Sequence, residues 1–168
     1  MAQGPRQLDE IARHRLSDKT QYNQISKRET MTTKFESSIK QVAYPQEKVY
    51  AMLSDLNNIN RVKGQIPQDK LEDLEFDSDS VTVSAPMVGK IKMNIVEREE
   101  PKCIKFETEL SPVPFNLWIQ ILPMTETTSK MKLTLKADLN PFIRGMVSKP
   151  LTEGIEKIAD MLAMIPYE

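Results

Sequence analysis

Residues 130–141 read KMKLTLKADLNP, and this stretch contains the transition that decides the fold. Apolar and polar side chains alternate up to Leu139, which is the pattern of a β-strand with one buried and one solvated face. Asn140 and Pro141 follow, a good N-cap residue and a proline suited to the first helical position. An apolar stripe at helical spacing then continues to about residue 164. The sequence therefore predicts a long strand that leads directly into a long C-terminal helix.

The chain before this transition shows the same alternation in shorter pieces. Six strand candidates lie between residues 71 and 139, with the last of them in the stretch quoted above. A further strand is predicted over residues 33–42. Its expected inward residues are Phe35, Ser37 and Ile39, and its expected outward residues are Glu36, Ser38 and Lys40. Pro45 then favours a short helix, and a second short helix or turn runs to Gly64.

These elements predict an α+β fold. We expect a curved seven-stranded antiparallel sheet wrapped around the long C-terminal helix, with two short helices after the first strand. Residues 1–30 contain six Lys and Arg against four Asp and Glu and few apolar side chains. We therefore expect a poorly ordered N-terminal extension at 1–30 and one folded domain at 31–168.

Composition excludes several classes of protein. Apolar residues make up 39% of the chain, charged residues 28%, and the net charge is −1, which is typical of a soluble globular protein. We therefore expect no nucleic-acid partner and no integral membrane association. The single cysteine, Cys103, forms no intrachain disulfide, so a cytoplasmic location is expected. One cysteine and one histidine, His14, are too few for a zinc site, and we expect no metal or cofactor.

The sequence shows no catalytic constellation. His14 lies in the polar extension, Cys103 falls on the outward phase of its strand, and the strand carboxylates also point outward. No ionisable residue falls on the predicted inward phase. The sequence therefore argues against an enzyme but does not decide the question.

Three segments resemble the helix-grip superfamily. They are the opening strand Lys34–Ile39, the segment Pro45–Asp55 and the amphipathic helix from Asn140 to Ile165. The superfamily includes START lipid-transfer domains, plant pollen-allergen-type proteins and polyketide cyclase/dehydrase-like proteins, and the chain is similar to its small bacterial START-like (SRPBCC) members. The resemblance implies a deep apolar cavity between sheet and helix. It names no ligand, since members bind lipids, sterols, polyketides or ubiquinone-like molecules.

The interior phase and the helix supply the predicted ligand-binding residues. They are Phe35, Ser37, Met52, Met93, Phe106, Thr108, Leu117, Met131, Leu133, Met146, Pro150 and Gly154. Methionines line adaptable apolar surfaces or fill a core. Pro150 predicts a helix kink, and Gly154 indicates either close packing on the sheet or room for a ligand. The hydroxyls of Ser37 and Thr108 either orient a ligand or bond to the backbone.

We therefore predict a binding or carrier module for a hydrophobic small molecule or lipid. Two alternatives stay open. One is a protein-interaction module resembling co-chaperone members of the fold, in which Trp118 on the outward sheet face would contact a protein partner. The other is a cyclase/dehydrase-like enzyme.

Overall fold

The computed structural model describes residues 31–65, 74–85 and 89–168. The prediction of an extension at 1–30 lies outside these residues. The strands are β1 (Met31–Glu36), β2 (Lys40–Val42), β3 (Glu75–Phe76), β4 (Ser80–Ala85), β5 (Gly89–Glu99), β6 (Cys103–Leu110), β7 (Phe115–Pro123) and β8 (Ser129–Leu139). The helices are α1 (Gln46–Leu53), α2 (Ile59–Val62) and α3 (Pro141–Ala163), with 3-10 turns at Leu56–Asn58 and Lys63–Gln65.

The strands form one antiparallel sheet in the order β1-β8-β7-β6-β5-β4-β3, and β2 also pairs with β8. Helix α3 starts as predicted, because the Asn140 Oδ1 accepts a hydrogen bond from the backbone N–H of Ile143 at 2.8 Å. The helix then runs back over the concave face, where it packs mainly on β8, β1 and β2. The predicted helix-grip arrangement is confirmed. None of the described helices has the length and apolarity needed to cross a bilayer.

The predicted first strand is interrupted, which raises the strand number from seven to eight. Phe35 pairs with Leu135, but Lys40 pairs with Met131, so the first strand holds one extra residue in this interval. Ser37 occupies the break: its N–H donates to the Leu133 carbonyl and its Oγ accepts from the Leu133 N–H, both at 2.9 Å. The extra residue acts as a β-bulge and inverts the side-chain phase beyond it.

This inversion corrects two predicted orientations. Ile39, expected inward, is 64% exposed. Lys40, expected outward, shares a face with its partner Met131, which is fully buried on the helix side. The sequence pattern does not reveal such a one-residue insertion, because apolar and polar residues alternate regularly both before and after it.

A second irregularity in β5 has a similar effect. Val96 is an extra residue, and after it Arg98 pairs with the buried Ile104 and therefore lies on the concave side. Its guanidinium donates to the Ser54 carbonyl at 2.9 Å and to the Asp79 carboxylate at 2.6 Å. Arg98 thus joins the end of α1 to the turn before β4. The expectation that no ionisable residue faces inward is wrong for Lys40 and Arg98.

Candidate functional site

The second half of α3 is attached to the β1–β2 break by charged groups. The Lys40 Nζ lies 2.7 Å from the Glu156 carboxylate and 2.6 Å from that of Asp160. Glu156 also accepts hydrogen bonds from the N–H and the hydroxyl of Ser38. The ammonium of Lys40, followed by the Ser38 donors, lowers the pKa of Glu156 to about 2. We call Ser38, Lys40, Glu156 and Asp160 the helix anchor.

The chain after α3 is fixed to the short helices. The Tyr167 hydroxyl donates to the Leu162 carbonyl at 2.6 Å, and its ring meets that of Tyr44 edge-on with centroids 5.9 Å apart. Arg61 in α2 donates to the Glu168 carbonyl at 2.7 Å. Burial raises the pKa of Tyr167, which keeps its phenol neutral. Helices α1 and α2 therefore close this end of the concave face.

The flank of α3 opposite the anchor is apolar. Each residue turns a helix by about 100°, so Gly154 and Ile158 lie on the other side of Ile155 from Glu156. Since the anchor reaches the β1–β2 edge, this flank faces the rest of the concave sheet. Val147 shares it, with Leu151 and Ile143 alongside. All three are partly buried against the core.

The sheet supplies the facing wall. Because α3 runs antiparallel to β8, its first half lies level with the Ala137 end of that strand, where Phe115 pairs with Ala137. At the same level lies Met93 of β5, and Val83 of β4 lies two residues further along, opposite Ile91; Met93 and Val83 are both partly buried. We call the apolar residues of this wall and of the helix flank, taken together, the apolar trough. Its sides are formed by Val83, Met93, Phe115, Ile143, Val147, Leu151 and Gly154.

Half of the predicted site residues are core side chains. Six are buried and belong to the hydrophobic core: Phe35, Met52, Phe106, Leu117, Met131 and Leu133. Met131 and Leu133 are completely inaccessible to solvent beneath α3. They therefore stabilise the fold, and they cannot contact a ligand unless the core repacks. Phe106 and Leu117 lie on the same face of the sheet as Met93 and are buried.

Both predicted hydroxyls are engaged by the backbone. Ser37 bonds to Leu133 as described above, and its hydroxyl donates to the Ser38 carbonyl at 2.9 Å. Thr108 accepts from the Phe115 N–H at 3.2 Å. The structure therefore agrees with the interpretation that these hydroxyls bond to the backbone, and neither is needed to orient a ligand.

The three predicted residues of α3 lie in different surroundings. Met146 is exposed on the outer side of α3, away from the sheet. Pro150 is partly exposed within the helix, which is assigned as continuous through it. A Cβ placed on Gly154 would meet no heavy atom within 4 Å. Close packing on the sheet therefore does not explain this glycine.

Two cavities formed by described residues lie elsewhere. One, of about 330 Å³, is on the outward sheet face around Trp118 and Lys136 and includes Thr108. The Trp118 ring has Lys105 and Lys136 at 5.4 and 5.5 Å from its centroid. The other, of about 170 Å³, lies between Met52, Arg61 and Tyr167. Neither is the deep cavity between sheet and helix that the resemblance implies, so that cavity stays a prediction.

The described residues offer little reactive chemistry. Burial raises the pKa of the Cys103 thiol, which disfavours a nucleophilic thiolate. The two inward cations, Lys40 and Arg98, are each neutralised by carboxylates at the ends of the concave face. Within residues 31–65, 74–85 and 89–168, no three His, Cys, Asp or Glu side chains are placed to hold a metal ion.

The site list drawn from the sequence missed the helix side of the trough. The apolar stripe of α3 does mark Ile143, Val147 and Leu151 as residues that face the sheet. It does not show which residues of the stripe remain partly exposed. The ion pair between Lys40 and Glu156 could not be predicted from the sequence, because it depends on the inverted side-chain phase of β2.

Comparison with protein-family models and with curated proteins finds no match. Solved structures do match. Norcoclaurine synthase from Thalictrum flavum superposes with a TM-score of 0.68 at 15% identity, covering 83% of this chain and 88% of that one. Its structure with dopamine and hydroxybenzaldehyde gives 0.66 at 16% identity over the same shares. A protein from Thermobifida fusca gives 0.54 at 15% identity, covering 77% and 90%.

At these identities the similarity establishes the fold alone. The chain shares the fold of norcoclaurine synthase, a sheet that packs against a long C-terminal helix, in agreement with the helix-grip arrangement predicted from the sequence.

Proposed function

We propose that residues 31–168 form a binding or carrier domain for a hydrophobic small molecule, held in the apolar trough between α3 and the concave sheet. One observation carries the proposal: the helix flank facing the sheet is apolar and only partly buried, with open space at Gly154. Partly buried apolar side chains on two facing surfaces leave area that a ligand can remove from water.

The distribution of charge supports an apolar ligand. Lys40 and Arg98 are paired at the ends of the concave face, and the walls of the trough consist of Val, Met, Phe, Ile, Leu and Gly. Norcoclaurine synthase, with the same fold, has been solved with dopamine and hydroxybenzaldehyde, both small molecules. Binding in this chain would rest on apolar contact, with few hydrogen bonds to select one ligand.

The test compares two glycines of the same helix. Gly154 faces the trough, whereas Gly145 lies on the exposed side, and a Cβ meets no heavy atom within 4 Å at either position. Replacing either by Leu raises helix propensity by about 1 kcal/mol, so both variants should fold. The probe is 1-anilinonaphthalene-8-sulfonate, titrated by fluorescence.

We expect the native protein and G145L to bind the probe alike, and G154L to bind about tenfold more weakly, since a Leu side chain displaces several methylene-sized contacts. Equal affinities for G154L and G145L would place the ligand elsewhere. Absence of probe binding by the folded native protein would remove the proposal.

A further inference from the structure

One cation of α3 points toward the sheet. Arg144 precedes the buried Ile155 by three full turns and about 20°, so the two side chains leave the helix in nearly the same direction. The Nη1 of Arg144 lies 3.8 Å from the sulfur of Met31, and Met31 pairs with Leu139 at the end of β8. Arg144 therefore lies on the concave side of α3, at the end of the trough where the helix begins.

The guanidinium of Arg144 has little to bond to within the protein. A guanidinium carries five N–H donors, and the side chain that this one contacts ends in a thioether sulfur, which is a weak acceptor. Among the residues that the structure describes, no carboxylate is close enough to form an ion pair with it, whereas Lys40 and Arg98 both have such partners. Since Arg144 is half-buried, an anion that paired with it would offset the loss of solvating water.

The chain around Arg144 holds no acidic group on the concave side. Residues 141–152 contain no Asp or Glu. Asp138, just before the helix, alternates to the outward face of β8 and accepts the hydroxyl of Thr32 at 2.7 Å. The positive end of the α3 dipole adds to the charge of Arg144. This end of the trough therefore attracts an anion.

The apolar flank of α3 begins next to this cation. Val147 and Leu151 follow Arg144 by about one and two turns, and both are partly buried. Gly154 lies ten residues after Arg144, about 15 Å further along the helix axis. An extended molecule with one charged end would place that end at Arg144 and its apolar part along Val147 and Leu151. A carboxylate suits this position, because a guanidinium binds it through two parallel N–H···O bonds.

We propose that the trough binds an amphipathic acid, whose carboxylate pairs with Arg144 and whose apolar chain lies against Val147 and Leu151. This inference rests on the proposed function. It adds the chemical class of the ligand and the residue that selects it.

Isothermal titration calorimetry with decanoate and decan-1-ol tests the inference, because the two molecules share an alkyl chain and differ in the head group. R144Q should weaken decanoate binding about tenfold and leave decan-1-ol binding unchanged, since the alcohol has no charge to pair. K149Q is the matched control, because it removes the same charge from an exposed position of the same helix. It should bind both molecules as the native protein does.

G154L separates this inference from the proposed function, since it should weaken the binding of both molecules. Circular dichroism verifies that each variant is folded. If R144Q and K149Q bind decanoate equally well, Arg144 does not hold the head group, and the inference is wrong although the trough still binds ligands. Equal weakening of decanoate and decan-1-ol by R144Q would also overturn it, because a lost packing contact would explain that result. If the folded native protein binds neither molecule, the proposed function is wrong and this inference with it.

Discussion

In the second half of α3, Ile155 and Ala159 are almost completely buried and Glu156 is tied to the β1–β2 break, whereas the first half has no fully buried side chain. The two halves also differ in net charge, +2 over residues 141–152 and −2 over residues 153–163. One continuous helix thus combines a fixed segment with a segment held mainly by partly buried apolar contacts. Most of the helix side of the trough, namely Ile143, Val147 and Leu151, lies in this second kind of segment, which is consistent with its proposed role in binding.

Replacing one isoleucine by alanine in each half of α3 should show the largest difference in stability between the two halves. I155A should lower the free energy of unfolding by about 2–5 kcal/mol, because it opens a cavity in the core. I143A removes the same atoms from a partly exposed site and should cost about 1 kcal/mol. Urea denaturation gives both values. Equal losses would mean that the first half is as firmly packed as the second.

Pro150 weakens the first half by a defined mechanism. It has no N–H to donate to the Met146 carbonyl, and an interior proline costs a helix about 3 kcal/mol, offset in part by the stiffer unfolded chain. P150A should therefore raise stability by about 2 kcal/mol and slow hydrogen exchange in residues 146–153.

P166A is its control, since Pro166 lies beyond the end of α3. If hydrogen exchange in residues 146–153 is as fast in P150A as in the native protein, the missing hydrogen bond does not explain the weaker packing of the first half of α3.

The smallest effect concerns the helix anchor, whose charged side chains are partly exposed to solvent. The lowered pKa of Glu156 means that its contribution is present above its ordinary pKa of 4.5 and is lost as pH falls toward about 2. E156Q should therefore be less stable than the native protein at neutral pH, and the difference should shrink between pH 4.5 and about 2. E153Q, one turn earlier and outside the anchor, should follow the native pH profile. Thermal melts across this range test both, and a constant difference would contradict the assignment.

The sequence predicted the parts of this fold that depend on local pattern. Alternation in β8, the Asn140 cap and the stripe of α3 each follow from neighbouring residues. The phase of β2 did not, because it depends on one extra residue opposite Leu133. The exposure of Phe142 and Met146 follows from helix geometry, because at about 100° per residue both lie on the side of α3 opposite the buried Ile155.

The candidate site was predicted less well than the fold. Core members such as Met131 and trough members such as Met93 share one inward phase, and only their distance from α3 separates them. Gly154 was identified, but its surroundings could be known only from the structure.

The helix anchor and the Asn140 cap hold α3 near both of its ends. Phe142 lies 14 residues before Glu156, which at 1.5 Å per residue separates the two attachment points by about 21 Å. A ligand in the trough would therefore be accommodated by side chains between these two points and not by a swing of the helix tip.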